Sequence, residues 1–419
     1  MLVSRAAICV KIFNHGWLLT LYSSNCSRLN LALTHPTSQR NSVSIEHRER
    51  ENHTRQPHIS SMSLLVIYNP VCGDGTAKSF FEQEVLPLLE RHGKNVEKIV
   101  ATESAGHAGT ILVDFLESVE GEINVVLGSG DGTLHEIINV VSSAELKGVR
   151  AVAPPSRLHF VLVPCGTANA LYSSLFLPTS HEKHTAYRLR SVQSFIDGSG
   201  TVPLTLAITT LLAPPSERKR PRVAISSVVV SAALHASILH DSESLRKEMP
   251  GIERFKVAAQ NNSTKWYNSF VKLLPSPSAR VVQVYDPSAQ DFVDHPESDE
   301  CDPIVDLDGP FAYFLSTVNV DRLEPAFRIT PLASKIPPAE PAFDVVIVRP
   351  MRDPSISWDT PEARVNFVAK MWTVLGSAYT NGTHINLRYA ANGEIVSDGG
   401  GPTVVEYMRC GGWEWIPVN

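Results

Sequence analysis

The chain has 419 residues, of which 43% are hydrophobic and 19% charged, and its formal net charge is -6 at pH 7. This length suffices for two domains, and the composition excludes collagen, coiled coils and wholesale disorder. The acidic balance argues against a nucleic-acid-binding protein, because such proteins are usually basic.

The six cysteines are scattered along the chain and include no Cys-x-x-Cys pair. Their spacing argues against a structural zinc site and a dense disulfide framework, so we expect an intracellular protein with reduced thiols. The most apolar run, residues 6–22, contains Lys11, Asn14 and His15. No run reaches the roughly 18 apolar residues of a membrane-spanning helix, and we expect no transmembrane segment.

Residues 1–61 differ in composition from the rest of the chain. They are rich in Ser, Asn and Thr and contain no acidic residue before Glu46, a pattern that is compatible with a mitochondrial targeting peptide. The alternatives are a disordered tail or a start codon assigned too early, because Met62 directly precedes the first clear strand. We therefore predict a disordered or targeting tail over residues 1–61.

Strands and helices alternate from residue 62 to about residue 200. Continuous apolar runs at 64–68, 123–127 and 159–163 are typical of strands buried on both faces. A further strand is predicted at 96–101, and helices at 79–92, 106–119, 133–141 and 167–176. This alternation predicts an α/β nucleotide-binding domain with a doubly wound parallel sheet, whose loops meet at one edge.

Beyond residue 200 the strands lack regular intervening helices. Strands are predicted at 202–212, 222–230, 279–285, 312–319, 343–349 and 384–389, and a helix at 365–373. The pattern predicts a mainly antiparallel, β-rich domain over residues 201–419. Residues 286–308 carry nine carboxylates and no Lys or Arg, which predicts a solvated acidic loop; a metal site is the alternative.

Four strand-to-helix turns of the first domain combine glycines with small polar residues. They read NPVCGDGTAK at 69–78, TESAGHA at 102–108, GSGDGTLHE at 128–136 and VPCGTANAL at 163–171. Glycines directly before a helix let backbone N–H groups and the helix dipole face a phosphate. Each turn alone is common in α/β proteins, whereas the four in this order are distinctive.

Asp131 is the strongest candidate for a chemical role. It lies between Gly130 and Gly132, directly after a predicted buried strand. A carboxylate at the sheet edge suits two tasks, which are accepting a proton from an attacking hydroxyl and orienting Mg²⁺ beside phosphates. The alternative is a helix-capping carboxylate in an Asp-Gly turn.

In their order, the four turns resemble the catalytic region of diacylglycerol kinases, sphingosine (long-chain base) kinases and ceramide kinases. The resemblance is close over residues 63 to about 180 and weaker beyond. It implies a diacylglycerol kinase-like and NAD kinase-like fold, ATP as phosphoryl donor, Mg²⁺, and Asp131 as catalytic base. The implied nucleotide-binding residues of the turns are Asn69, Pro70, Gly73, Gly75, Thr102, Gly128, Gly130, Gly132, Thr133, Glu136, Gly166, Thr167 and Asn169.

Two stretches of the second domain extend the resemblance. Residues 241–255, DSESLRKEMPGIERF, resemble the family's S-E-x-x-R…G-x-x-R-[FY] stretch. On that resemblance Arg246 and Arg254 contact ATP phosphates, a task that suits guanidinium groups; the alternative is surface arginines on a helix.

The family's closing D-G-E element is linked to nucleotide and magnesium. Here SDGGG at 397–401 retains Asp398 and Gly399, whereas Gly400 replaces the Glu. We assign nucleotide contacts to Asp398 and Gly399, and a magnesium contact to Asp398. The alternative match is Asn392-Gly393-Glu394.

The resemblance leaves the acceptor open among sphingoid bases, diacylglycerol and ceramide. Long-chain base kinases place an acidic residue shortly before S-E-x-x-R, and Ser237 stands there in this chain, which weakens a sphingoid-base assignment. Ser129 and Ala168 also replace glycines that are common in the family.

The implied function is an ATP-dependent lipid kinase that phosphorylates a sphingoid long-chain base or diacylglycerol. We expect its lipid partner at a membrane surface and a cytoplasmic, peripherally membrane-associated location, with mitochondrial targeting by the tail as the alternative. The rival functions are an NAD kinase-like enzyme with a soluble substrate and a catalytically degenerate nucleotide- or lipid-binding protein.

Overall fold

The structure is a computed structural model that describes residues 7–13, 18–22, 62–152, 157–212, 222–249 and 251–418. Its strands are β1 (Ala7–Phe13), β2 (Leu18–Tyr22), β3 (Ser63–Tyr68), β4 (Lys98–Ala101), β5 (Ile123–Ser129), β6 (Arg157–Pro164), β7 (Thr201–Pro203), β8 (Leu206–Leu212), β9 (Arg222–Ser226), β10 (Val229–Ala232), β11 (Ser269–Leu274), β12 (Gln283–Asp286), β13 (Asp291–Asp294), β14 (Val305–Asp308), β15 (Tyr313–Thr317), β16 (Phe343–Val348), β17 (Arg388–Tyr389), β18 (Ile395–Val396), β19 (Glu406–Cys410) and β20 (Gly412–Pro417).

Its α-helices are α1 (Ala77–Phe80), α2 (Leu86–Arg91), α3 (His107–Ser118), α4 (Asp131–Ser143), α5 (Ala170–Leu175), α6 (His184–Ile196), α7 (Ala233–Leu245), α8 (Glu253–Asn262), α9 (Leu332–Lys335) and α10 (Pro361–Tyr379). A π-helical turn, Phe81–Val85, joins α1 to α2. Among the described segments, no helix is both long and apolar enough to cross a membrane.

The first region is built on a six-stranded sheet in the order β4-β3-β5-β6-β2-β7, in which all neighbours are parallel except the pair β2 and β7. Alternate residues of β5 enter two cores, since Val125 packs with α3 and α4 whereas Val126 packs with Phe81 and α2. Helices on both faces explain why the strand sequences are continuously apolar. The predicted parallel α/β region is confirmed.

Two six-stranded antiparallel sheets form the second region, in the orders β14-β11-β20-β1-β8-β9 and β10-β15-β16-β19-β12-β13. They share an aromatic core in which Trp413 meets Phe314 edge to face, with ring centroids 4.9 Å apart. The indole N–H of Trp413 donates to Ser316 Oγ at 3.0 Å, which satisfies its polar atom. Helix α10 covers the other face of the second sheet through Phe367 and Met371. The predicted antiparallel region is therefore confirmed.

Several elements differ from the sequence-based prediction. The predicted strands at 202–212 and 222–230 are each two strands, and residues 384–389 are a 3-10 turn followed by the short β17. The arginine stretch lies at the end of α7 and in α8; a helix here was considered only as the alternative, without bounds. The predicted acidic loop at 286–308 contains β13 and β14, because Val293, Val305 and Leu307 pair with neighbouring strands.

Two strands lie within the range that was predicted to be a tail. β1 pairs with β8 and β20 inside the antiparallel sheet, and β2 pairs with β6 and β7 in the parallel sheet. Neither strand was predicted, and the other residues up to 61 lie outside the described residues. Removal of the residues up to the end of β2 would take one strand from each sheet.

One asparagine connects the α/β region to the β-rich region, and a second joins loops within the β-rich region. Asn139 of α4 exchanges hydrogen bonds with the backbone N–H and C=O of Ile225, at 2.8 and 2.7 Å. Asn319 donates to the carbonyl groups of Thr205 and Ser227 and accepts from Thr205 N. Side-chain amides that bond both backbone groups replace strand pairing at this junction. Helix α4, which begins at Asp131, is thereby fixed to the second region.

The position of β1 predicts a large effect of a charge at Val10, which is fully buried in the sandwich core. We expect Val10→Asp to lower the free energy of unfolding by more than about 3 kcal/mol, because it buries an unpaired carboxylate. Val223→Asp is the matched control, since Val223 of β9 is in the same sheet and 61% exposed. Urea denaturation of the full chain measures the free energy of unfolding of both variants. Equal values for Val10→Asp and the control would contradict the position of β1 between β8 and β20.

Candidate nucleotide-binding and catalytic site

Backbone hydrogen bonds join the four glycine-rich turns at the carboxyl edge of the parallel sheet. Asn69 N donates to Gly128 O at 2.9 Å, Thr102 N donates to Tyr68 O at 2.9 Å, and Cys165 N donates to Ser129 O at 3.1 Å. Each bond links the end of one strand to the end of its neighbour. The turns are therefore adjacent, as expected for parallel strands whose carboxyl ends meet at one edge.

Two pairs of turns touch backbone to backbone. At Gly73, whose φ is +56°, a Cβ would lie 2.2 Å from Cys165 O, and at Gly166 a Cβ would lie 2.4 Å from Gly130 Cα. Side chains at these glycines would therefore force the turns apart. Gly75 also has a positive φ, of +75°, whereas a Cβ at Gly132 would meet nothing within 4 Å. Close packing thus explains why positions 73, 130 and 166 are glycines. It does not explain the glycine at 132, where a side chain would have room.

Asn69 shapes the first turn through its side chain. Its Oδ1 accepts from Val71 N at 3.1 Å across the half-buried Pro70, a local turn that asparagine favours. Asp74 then accepts from both the backbone and the hydroxyl of Thr76 just before α1. These contacts hold the turn open toward solvent, with Gly73 and Gly75 exposed.

Asp131 joins the third turn to the fourth. It is the first residue of α4, and its two carboxylate oxygens accept from Ala170 N at 2.6 Å and Leu171 N at 3.1 Å, at the start of α5. Burial raises the pKa of Asp131, while the N–H groups of Leu171 and Ala170 oppose that rise. The structure therefore shows the capping contact considered as the alternative; a carboxylate with a raised pKa is also a stronger base.

The fourth turn is closed by Asn169, which has a left-handed φ of 55°. Its Oδ1 accepts from Gly166 N at 2.9 Å, and its Nδ2 donates to Gly166 O at 2.8 Å. Thr167 lies exposed at the tip of this turn. A cavity with room for about one water molecule lies beside Asp131 and Asn169. A nucleotide is far larger, so it would have to lie over the exposed side of the turns.

Four further predicted nucleotide-binding residues are bonded, buried or packed within the protein. Glu136 Oε2 accepts from Gly106 N at 2.8 Å and so fixes the second turn. The Thr133 hydroxyl pairs with Ser129 Oγ at 2.5 Å, and Thr102 is buried. A Cβ at Gly128 would overlap the Phe81 ring, so that glycine makes room for the core. These contacts shape the turns; direct contact with a nucleotide stays a prediction.

Arg254 is the better placed of the two predicted phosphate-binding arginines. It is 5% exposed on α8, its Nη1 donates to Gly251 O at 3.2 Å, and its buried Nε has no hydrogen-bond partner among the described residues. Burial lowers its pKa, and the charge of Arg246 lowers it further. Arg246 is exposed and paired with Glu243 at 2.8 Å. Two neighbouring guanidinium groups with an unsatisfied donor fit an anionic ligand.

Asp398 and Gly399 lie exposed in the turn after β18. In the alternative match, Gly393 is buried against Asp353 and Ser355 and therefore serves packing. The described residues include no group of three or more His, Cys, Asp or Glu side chains that could hold a metal ion. Mg²⁺ commonly binds to one or two carboxylates together with substrate phosphates, so Asp398 fits only a magnesium ion that arrives with the nucleotide.

Sequence analysis missed Arg188 of α6. Its Nη2 donates to Cys165 Sγ at 3.1 Å, beneath the fourth turn, and its guanidinium lies 3.7 Å from the centroid of the Phe80 ring. It is 7% exposed. No motif marks this arginine, because an arginine in a helical sequence is usually a surface residue.

Comparison with known proteins matches residues 63–197 to the diacylglycerol kinase catalytic domain. Over 137 residues the chain is 29% identical to a sphingoid long chain base kinase of Saccharomyces cerevisiae. The aligned segment covers 32% of this chain and 19% of the relative. It is 25% identical to the mitochondrial acylglycerol kinase of Xenopus laevis over 201 residues, 48% of this chain and 41% of the relative. The chain thus matches less than half the length of either relative.

A solved structure of a diacylglycerol kinase from Bacillus anthracis str. Sterne shares 14% identity with this chain, at a TM-score of 0.38, with coverage of 74% of this chain and 80% of the other. The matched domain contains the four turns and Asp131, which are the residues that carried the resemblance. Residues 63–197 are therefore similar to the diacylglycerol kinase catalytic domain.

Proposed function

We propose that the protein is an ATP-dependent lipid kinase, which transfers the γ-phosphate of ATP to a lipid hydroxyl. The observation that carries the proposal is the placement of Asp131 where the third and fourth turns meet, inside the matched catalytic domain. Both relatives are named as lipid kinases. The buried, unsatisfied Nε of Arg254 supports an anionic ligand.

In the proposed reaction, the exposed turns around Gly73 and Gly166 bind the ATP phosphates, and Arg246 and Arg254 neutralise their charge. Asp131 accepts the proton of the lipid hydroxyl as its oxygen attacks the γ-phosphorus. A new oxygen–phosphorus bond forms, the bond to the β-phosphate oxygen breaks, and ADP leaves. Such transfer depends mainly on positioning and on charge stabilisation. When bound, Mg²⁺ supplies positive charge to the phosphates.

The acceptor that we favour is a neutral glycerolipid such as diacylglycerol, with a sphingoid long-chain base as the second candidate. At the position where the resemblance expects an acidic residue, the Ser237 hydroxyl pairs with Tyr267 OH at 2.6 Å. The nearest carboxylate along that helix, Asp241, accepts from Asn262 Nδ2 at 2.7 Å. Neutral hydroxyls suit a neutral head group better than a protonated amine, which prefers a free carboxylate.

The two rival functions predict different ligands. An NAD kinase-like enzyme would phosphorylate a soluble acceptor, whereas a degenerate protein would bind nucleotide or lipid without turnover. The neighbouring Arg246 and Arg254, in a stretch that resembles lipid kinases, argue against the first. Asp131 and the intact glycine contacts argue against the second.

We also propose that the enzyme meets its acceptor at a membrane surface from the cytoplasmic side, because its substrate is confined to a bilayer. The acylglycerol kinase relative is named mitochondrial, so a mitochondrial membrane is the alternative location. Imaging of the full chain with a fluorescent tag at its C-terminus distinguishes the two locations.

Asp131→Asn should lower the rate of phosphate transfer by about 10² to 10⁴, the range for loss of a general base; ATP affinity should fall less than the rate, because Asn keeps one oxygen to accept from the start of α5. The rate is measured with radiolabelled ATP and diacylglycerol in mixed micelles, and ATP affinity by calorimetry. Asp114→Asn is the matched control, because Asp114 is an exposed carboxylate on α3. Full activity of a folded Asp131→Asn protein would reject Asp131 as the base and leave it as a helix cap.

Arg254→Met should weaken ATP binding about 10- to 100-fold, because a charge-assisted hydrogen bond contributes about 1.5–3 kcal/mol. Methionine keeps most of the buried apolar stem, so the fold should persist. Arg157→Met serves as control, since Arg157 is exposed at the opposite end of the sheet, where β6 begins. Unchanged ATP affinity in Arg254→Met would exclude phosphate binding by this guanidinium.

A further inference from the structure

Two cysteines meet where the first and fourth turns touch. Cys72 is half-buried in the first turn, and Cys165 is 5% exposed in the fourth. The two cysteines pack in the same hydrophobic cluster, where Gly73, the neighbour of Cys72, lies against Cys165 O, and neither is in a disulfide. The Cys72 thiol also lies 3.0 Å from Asn69 O. The proposed reaction uses neither sulfur.

Arg188 places a buried positive charge against this pair. Its Nη2 donates to Cys165 Sγ at 3.1 Å, and its Nε is buried without a hydrogen-bond partner in the described structure. Asp74 is the carboxylate that interacts electrostatically with Arg188, but Asp74 is exposed to solvent. A buried guanidinium is costly unless an anion compensates it. The Cys165 sulfur, 3.1 Å from Arg188 Nη2, supplies that anion when it ionises.

The environment of Cys165 favours that thiolate. The hydrogen bond from the Cys72 thiol and the charge of Arg188 lower the pKa of Cys165, whereas burial and Asp74 oppose the shift. The hydrogen bond to Cys165 and burial raise the pKa of Cys72, which keeps its proton. Reactive cysteines have this combination of a cationic neighbour and a partner thiol.

We propose that Cys72 and Cys165 form a redox modification site, at which a hydroperoxide converts the two thiols into a reversible disulfide that links the first and fourth turns. The inference that this disulfide affects nucleotide binding rests on the proposed function. The inference that the disulfide forms is independent of that function.

The chemistry balances in two steps. The Cys165 thiolate attacks one oxygen of hydrogen peroxide, the O–O bond breaks, and a sulfenic acid and hydroxide result. Cys72 sulfur then attacks the Cys165 sulfur, the S–OH bond breaks, and the departing hydroxide takes the Cys72 proton as water. Two thiols are oxidised and one peroxide is reduced to two water molecules. The hydroxide from the first step becomes water when it takes up the proton that Cys165 released on ionising.

Disulfide formation would disturb both turns. A disulfide needs a sulfur–sulfur distance of about 2.05 Å, which is shorter than any thiol contact, and the turns already touch where Gly73 meets Cys165 O. Oxidation also removes the Cys72 proton and leaves Arg188 without a thiolate partner. We expect the oxidised first turn to lose its open shape and ATP affinity to fall about tenfold.

The test treats the full-length protein with a few equivalents of hydrogen peroxide, blocks free thiols by alkylation, and maps peptides by mass spectrometry. We expect one cross-linked peptide pair that joins Cys72 to Cys165, lighter by two hydrogen atoms and cleaved by dithiothreitol. The matched control is Cys301→Ser, which removes an exposed thiol and should form the same cross-link. Cys72→Ser should instead leave Cys165 as a sulfenic acid that dimedone labels.

Two outcomes would overturn the proposal. If Cys72 and Cys165 both remain open to alkylation, or if either pairs with another cysteine, the modification site is rejected. If the cross-link forms but ATP affinity, measured by calorimetry before and after dithiothreitol, stays the same, control of nucleotide binding is rejected. Failure of the reduced protein to bind ATP would instead count against the proposed function, while the peptide map would still decide the cross-link.

Discussion

The carboxylate of Asp131 is the interaction on which the arrangement of the site depends. It begins α4 and accepts the first N–H groups of α5, so one side chain joins two helices that follow different strands. The contact requires the third and fourth turns to approach within backbone distance, which only glycine at 130 and 166 permits. Helix α4 then continues to Asn139, whose bonds to Ile225 reach the β-rich region. The glycines, the cap and the junction between regions are therefore one connected structure.

The same contact has consequences for chemistry. A carboxylate that caps a helix is held in a fixed position, and fixed catalytic groups lose little entropy in the transition state. Burial raises the pKa of Asp131 while the helix N–H groups hold its charge. Capping and base catalysis are thus compatible roles for one residue, although the sequence analysis treated them as alternatives. Arg254, on a helix of the second region, supplies a buried positive charge with a free donor.

The parts of the fold that the sequence predicted well are those with strong local patterns. The apolar runs of β3, β5 and β6 identify buried parallel strands, and the glycines mark the turns that follow them. Local pattern could not identify β1 and β2, because the strands that pair with them are distant in the sequence. Tertiary context similarly turned the acidic segment partly into strands, since Val305 and Leu307 alternate toward the core of the sandwich.

In the candidate site, too, local sequence predicted some features, whereas others depend on tertiary contacts. Motif order predicted which turns meet, but not how each polar side chain is used. Glu136 and Asn169 bond to backbone groups at Gly106 and Gly166, and such partners depend on three-dimensional distance. Arg188 had no sequence signal at all, since its importance arises from burial against Cys165.

The most direct test of the account is a transfer assay with the full chain, radiolabelled ATP and Mg²⁺. Diacylglycerol, sphingosine and ceramide are offered separately in mixed micelles, and NAD is offered in solution. The account predicts label on a lipid, with diacylglycerol preferred over sphingosine. Label on NAD alone, or no label on any lipid from protein that binds ATP, would contradict it.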